Sequence, residues 1–363
     1  MKPVFQPTLV NDPFGDPAVY VDFFFQGRAL LFDLGDLRPL ATRKILRLRD
    51  IFVSHAHMDH FFGFDWLLRV CLGRAMRLRL FGPAGIIGQV EAKLSAYTWN
   101  LVENYETDLS FEVIEVLGDV EARAASFRCR RQFRREAEHV LALRDRLLLD
   151  EVNHAVRFAI LDHGTPCLAF SLQEKRHVNI RKNRLEALGL EPGPWLQHFK
   201  RVLLEGLPGS TAIHARRRAG ERSGEEVFRV DELARDIAHL SEGQKIAYVT
   251  DAVYHPANAE RIIELARGAD QFFIEAVFGH ELAARAAAKC HLTARQAGSL
   301  ARLAGAKFPT PFHFSPIYRG REAELRGEFE EAFLHPTGDD GGIRPGTVPL
   351  RRTDSAIAVT SLP

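Results

Sequence analysis

Cysteine is scarce in this chain. Four residues, Cys71, Cys129, Cys167 and Cys290, are scattered through 363 positions with no Cys-x-x-Cys pair. That spacing excludes a disulfide frame and a cysteine zinc knuckle, and fits reduced thiols filling core space. Any bound metal therefore rests on histidine and carboxylate. Excess charge is missing too, with 48 basic against 47 acidic residues, so a nucleic-acid partner would be met by local basic patches. No run approaches the ~18 apolar residues of a membrane span, and the opening "MKPVFQPTLVNDPFGDP" has no basic segment followed by an apolar core. The expectation is a cytoplasmic protein with no membrane attachment.

What is present is a mixture of strand and helix signals. "VYVDFFFQGRALLFDLG" is two apolar runs around Gln26-Gly27, a hairpin signal. After Pro39, short strands alternate with helix-like runs: "IFVS", a helix through "FGFDWLLRVCL", the strand "RLRLFGP", and a helix from Ala84 to about Trp99. Residues 109–173 read mostly as strands. "GQKIAYVTD" and "DQFFIEAVF" are strands flanking the amphipathic helix "NAERIIELARGA", and residues 293–304 are helical again. The fold class is α/β with more than one sheet. Residues 1–335 read as a single domain, interrupted by a polar insertion at about 176–245 with small helices of its own. The remainder, 336–363, rich in Pro, Gly, Asp and Thr, reads as a flexible tail.

The stretch "IFVSHAHMDHFFG" places His55, His57, Asp59 and His60 within six positions directly behind an apolar strand. Imidazole nitrogen and carboxylate oxygen are the donors zinc prefers, and a loop at a strand end can aim alternate side chains in different directions. Two adjacent metals follow naturally. A dinuclear site needs further donors in the same setting, and three residues have it: His163 after "AVRFAILD", Asp251 after "KIAYVT" and His313 after "AKFPTPF". His139, His177, His198, His214, His239 and His335 sit in polar or helical surroundings that suit solvated roles, while His154, His255 and His280 are unassigned.

"SHAHMDHFFG", followed in order by "LDHGTPCLAF", "YVTDAVY", "FIEAVF", "KCHLTARQAGSLARLAGAK" and "PFHFSPIY", resembles the ribonuclease Z branch of the metallo-β-lactamase fold over about residues 18–320. The resemblance implies an αββα sandwich and a zinc-dependent endonuclease that removes 3′ trailers from tRNA precursors. It implies two zinc ions per chain, one held by His55, His57 and His163 and the other by Asp59, His60 and His313, with Asp251 shared. Such a pair can activate a water held between the ions. Asp59 would also orient that nucleophile, His291 would donate a proton to the leaving sugar oxygen, and Glu275 would orient His291.

"LEALGLEPGPWLQHFK" resembles the Gly-Pro-containing arm of this family, an exosite that grips the tRNA body, and family members offer that arm across a homodimer. Arg176, Lys182, Arg184 and Lys200 are its candidate phosphate contacts. Other positions depart from the family pattern. "FQPTLVNDPFGDPAVYVDF" replaces the usual Gly-Thr-Gly strand and its loop of Lys, Arg and Asn, the loop associated with the tRNA 3′ end. Thr250 and Ala252 flank Asp251 where Gly and Thr are usual, Leu292 replaces a small polar residue, and Ile317 stands where arginine is common. Two alternatives stay open: a hydrolase of a small phosphodiester or other ester, and an inactive RNA-binding homologue.

Overall fold

The computed structural model describes residues 4–24, 26–219 and 222–336. The tail expected from 336 onward lies outside the described residues, Pro336 excepted. Eight strands form a first sheet in sequence order: β1 (Phe5–Leu9), β2 (Val19–Phe23), β3 (Arg28–Phe32), β4 (Leu48–Phe52), β5 (Met76–Pro83), β6 (Leu109–Val116), β7 (Glu121–Arg128) and β8 (Arg135–Ala142). Phe23 pairs with Arg28, closing the expected hairpin, and β3 to β6 run parallel. Helices α1 (Thr42–Ile45), α2 (Met58–Phe61), α3 (Phe64–Cys71) and α4 (Ile86–Ser95) fill the connections. The last is shorter at both ends than the sequence suggests.

The second sheet uses β9 (Leu147–Asp150), β10 (His154–Asp162) and β11 (Pro166–Glu174). It resumes after the insertion with β16 (Lys245–Val249), β17 (Gln271–Glu275) and β18 (Phe308–Phe312). β16, β17 and β18 are parallel to one another. Helices α8 (Pro256–Ala266), α9 (Ala283–Ala288), α10 (Ala294–Leu303) and α11 (Glu322–Leu334) accompany them. The last of these has no counterpart in the sequence reading.

Alternation along the strands explains the layering. In β3, Ala29 and Leu31 face α1, α3 and α4, while Leu30 and Phe32 face the other sheet. Both faces of such a strand are buried, so it reads as one apolar run and not as an alternating one. Between the sheets, Phe32 stacks on Tyr248 and Phe170 at centroid distances of 5.4 and 5.8 Å. Outside the second sheet, Ile262, Leu300 and Phe329 of α8, α10 and α11 pack over Ala247, Val249, Phe272 and Ile274. The result is an αββα sandwich.

The insertion carries its expected small helices and adds two pairs of strands that the sequence did not suggest. β12 (His177–Ile180) pairs with β15 (Ala238–Ser241) as a neck. Beyond it lie α5 (Lys182–Ala187), α6 (Trp195–Glu205), α7 (Val230–Ile237) and a hairpin of β13 (Ala212–Ala219) with β14 (Arg222–Arg229). Leu185, Phe199, Val202, Ile213, Leu233 and Ile237 give it a hydrophobic cluster of its own. The hairpin escaped sequence reading because few of its described side chains turn inward, Ile213 and Ala215 fully and Phe228 in part, while His214, Arg216 and Arg217 face solvent. Among the described residues no helix is long and apolar enough to cross a membrane.

The remaining histidines sort by packing. His139, His198, His214, His239 and His335 are exposed. His177 is not solvated as expected; it is buried and donates from Nδ1 at 2.9 Å to Glu174, the buried residue that ends β11 three positions earlier. His154 is buried against Phe5 and Phe23, and His255 caps α8 by accepting from the Asn258 amide.

Candidate metal centre

The parallel strands of both sheets point their carboxyl ends at one edge of the sandwich, the position where open α/β sheets bind ligands. β4 leads into His55, β10 into His163, β16 into Asp251 and β18 into His313, while Glu275 closes β17. α2 starts at Met58 and carries Asp59 and His60 back over the same edge. Gly63 fixes that return: its amide donates to the Leu34 carbonyl at 2.7 Å, and a Cβ there would lie 2.1 Å from the Gly35 carbonyl oxygen. The glycine ending "HFFG" is thus required by close approach of two backbones.

All seven residues expected as ligands converge. Asp251 is at the centre, its Oδ2 3.5 Å from His55 Nε2, 3.5 Å from His60 Nε2 and 3.2 Å from His163 Nε2. Its Oδ1 is 2.9 Å from His313 Nδ1. His55 Nε2 faces His57 Nδ1 at 2.8 Å, and Asp59 Oδ2 lies 3.3 Å from His313 Nε2 and 3.5 Å from His60 Nε2. Donor atoms of His55, His57, His163 and Asp251 all fall within 4.8 Å of one another, as do those of Asp59, His60 and His313. The same limit also admits a set of Asp251, Glu275, His291 and His313.

Around these residues lies a layer that orients them, and sequence reading missed it. Asp33 follows β3, is fully buried, and accepts from the Ser54 amide and hydroxyl at 2.6 and 2.7 Å, from His60 Nδ1 at 2.9 Å and from the Tyr248 hydroxyl at 2.7 Å. A carboxylate closing the apolar run "ALLFD" was the available signal. His163 Nδ1 donates to the Cys290 carbonyl at 2.8 Å. These bonds fix which nitrogen of His60 and His163 faces the centre, the usual arrangement around a metal. Asp33, Cys290 and His313 each hold a left-handed backbone, with φ of 58°, 58° and 61°. Such strain in non-glycine residues collects where geometry is over-determined by function.

The donor set suits a cation. His60 Nε2 and His313 Nδ1 are buried without a hydrogen-bond partner, yet both face the Asp251 carboxylate. Burial pulls His55 down to about 2, so it stays a neutral donor. Burial also opposes a charge on His60, but Asp251 and Asp33 outweigh it and raise that imidazole to about 10. His313 moves the same way against its burial, chiefly through Asp251. Imidazoles must be deprotonated to act as ligands, so metal binding at this donor set would be coupled to proton release.

Glu275 and His291 stand beside this set. Burial of Glu275 disfavours its charge, but His291 outweighs that and keeps the carboxyl low. It accepts from the Ala252 and Leu292 amides at 2.7 and 3.1 Å and from His291 Nδ1 at 2.9 Å. His291 Nε2 is left available to the cleft, and Glu275 raises its pKa against the effect of burial. The cleft, about 610 Å³, is also lined by Phe14, Asp16, Phe278, Arg285, Lys289 and Phe314.

The chain matches no protein-family model. It is 30% identical over 300 residues to ribonuclease Z of Deinococcus radiodurans, covering 82% of this chain and 85% of that one. Ribonuclease Z of Geobacillus kaustophilus is 28% identical over 319 residues, with 85% of each chain covered. Among solved structures, the metallo-β-lactamase fold protein YhfI of Bacillus subtilis superposes with a TM-score of 0.51 at 14% identity, covering 91% of this chain and 94% of its own. Sequence and fold agree: the chain belongs to the ribonuclease Z family of metal-dependent hydrolases, on the metallo-β-lactamase fold.

Proposed function

We propose that this protein is a dinuclear zinc phosphodiesterase that removes 3′ trailers from tRNA precursors. The observation that carries the reading is the single Asp251 carboxylate facing both donor groups, at 3.2 to 3.5 Å from three imidazoles and 2.9 Å from a fourth. On this reading His55, His57 and His163 hold one zinc, Asp59, His60 and His313 hold the other, and Asp251 is common to both. Two zincs so held would lower the pKa of a shared water and offset charge developing on the phosphodiester.

The chain's own groups supply the rest. Asp59, held low by His313 and His60 despite the opposing effect of burial, remains an acceptor that can orient the attacking water. His291 keeps a proton because Glu275 holds its Nδ1, and it presents Nε2 to the leaving sugar oxygen. Glu275 is the positioning residue for that acid.

The arm beyond the β12–β15 neck serves as an exosite for the tRNA body. Arg176, Lys182 and Arg184 are exposed and Lys200 half-buried. The protein works in the cytoplasm as a homodimer, each arm serving its partner's centre. Support for self-association comes from Met58, Phe62 and Trp66, apolar side chains at four-residue spacing that are 81%, 47% and 40% exposed. Mapping the cleavage site on a tRNA precursor with a 3′ trailer, alongside zinc analysis, tests the whole reading. Turnover of a small diester with no cut in the precursor would favour the small-substrate alternative, and bound RNA without turnover the inactive one.

A further inference from the structure

The phosphate-binding cations expected near the 3′ end are missing from the N-terminal loop, where Phe14, Gly15 and Asp16 line the cleft instead. Positive charge enters that cleft from the opposite side of the sequence. Arg285 and Lys289, four residues apart at α9 and its C-terminal end, both line it and both are exposed. That spacing puts them on one helical face. The Arg285 guanidinium lies over the Phe278 ring, 5.5 Å from its centroid, which restricts its reach to the cleft wall. Among the described residues neither cation forms an ion pair or a side-chain hydrogen bond. His291, the proposed acid, follows Lys289 by two residues and shares the cleft.

The geometry points to a second phosphate subsite made by Arg285 and Lys289, which holds the backbone phosphate next to the scissile one. This rests on the phosphodiesterase reading above. A planar guanidinium can grip two phosphate oxygens at once, and the ammonium adds a compact charge beside it. The cleft is then polarised, acidic on the Asp16 side and basic on the α9 side. A polynucleotide is accepted with its phosphates along α9, whereas a lone diester has nothing to place there. The site's ligand class is therefore a phosphodiester with at least one further phosphate.

Equilibrium binding tests this without relying on turnover. The zinc-loaded full chain and its Arg285→Ala/Lys289→Ala variant are titrated against a fluorescent, uncleavable 2′-O-methyl RNA oligonucleotide at several salt concentrations. The expected result is a Kd raised at least tenfold near 0.1 M salt, with the slope of log Kd against log salt reduced by about 1.4, the value for two lost contacts to a single strand. Lys289→Arg should keep most of the affinity. On a cleavable RNA, KM should rise by a similar factor with kcat changed less than threefold. An unchanged Kd and slope would overturn the subsite, and so would an equal loss in Lys289→Arg. Failure of the wild type to cut the unmodified RNA would instead sink the phosphodiesterase reading, leaving the binding result to stand by itself.

Discussion

Tyr248 on β16 donates its hydroxyl to Asp33 at the end of β3, 2.7 Å away, so one hydrogen bond joins the two sheets directly behind the metal centre. The phenol is kept protonated by burial and by Asp33, and Asp33 passes the constraint to His60. Asp33→Asn should weaken zinc binding roughly 10- to 100-fold, as loss of an orienting partner does. Tyr248→Phe should cost about 1 kcal/mol of stability with a smaller effect on zinc. Chelator competition and thermal melts read both. Unaltered zinc affinity in Asp33→Asn would mean that His60 needs no such orientation.

Asp251→Ala and Asp59→Ala should each abolish hydrolysis of every substrate while the fold survives. The first removes the carboxylate that faces both donor groups, the second a donor that also aims the nucleophile. Zinc content, turnover and a melt are to be measured on the same preparation. A folded Asp251→Ala protein with two zincs and normal turnover would refute the assignment.

For His291→Ala, the leaving group decides the outcome. A ribose oxygen needs a proton, so RNA cleavage should fall by roughly 10² to 10⁴. A nitrophenolate leaves without help, so bis(nitrophenyl) phosphate should lose far less, with zinc content unchanged. Zinc loss would instead favour the donor set in which His291 and Glu275 join Asp251 and His313.

The neck offers a clean place to remove the arm. Ile180 and Ala238 are paired across β12 and β15, so a short Gly/Ser turn can replace residues 181–237 without disturbing the ladder. The variant should bind precursor tRNA more weakly while still hydrolysing a small diester. Equal losses on both substrates would assign the arm to support of the core.

His154 supplies a pH dependence outside the candidate metal centre. Burial first, and then Arg28, push its pKa down to about 4, against about 6.5 when unfolded. Below about 6.5 the unfolded chain takes up a proton that the folded chain refuses, so stability falls as pH drops towards 4 and then levels. The upper bound is about 3 kcal/mol. Denaturant titrations of wild type and His154→Gln across that range should differ in slope; parallel curves would show that His154 accepts the proton in place.

Individual strands follow from signals along the chain, because apolar runs such as "RALLF" and "KIAYV" are buried on both faces, whereas the αββα layering was implied by the family resemblance and the strand order emerges only in the fold. His163, Asp251 and His313 were findable by the rule that donors follow strands. Asp33 obeys that rule as well, but a lone carboxylate after an apolar run looks like the start of any loop. The β13–β14 hairpin was hidden by arginines and glutamates on its solvent face. Arg285 and Lys289 were invisible as a pair with the centre because only the packing of α9 brings them to the cleft.

His55 and His313 stand at opposite ends of the described chain yet share one centre, with donors taken from both sheets. Contacts of such long range close late, since most of the loop-closure entropy must be met before they form. A chain emerging from the ribosome holds the "HAHMDH" donors early, but Asp251 and His313 arrive only after the arm has been made. The donor set is therefore complete only once His313 has been made, and a product truncated before Asp251 keeps its first-half histidines without a complete centre.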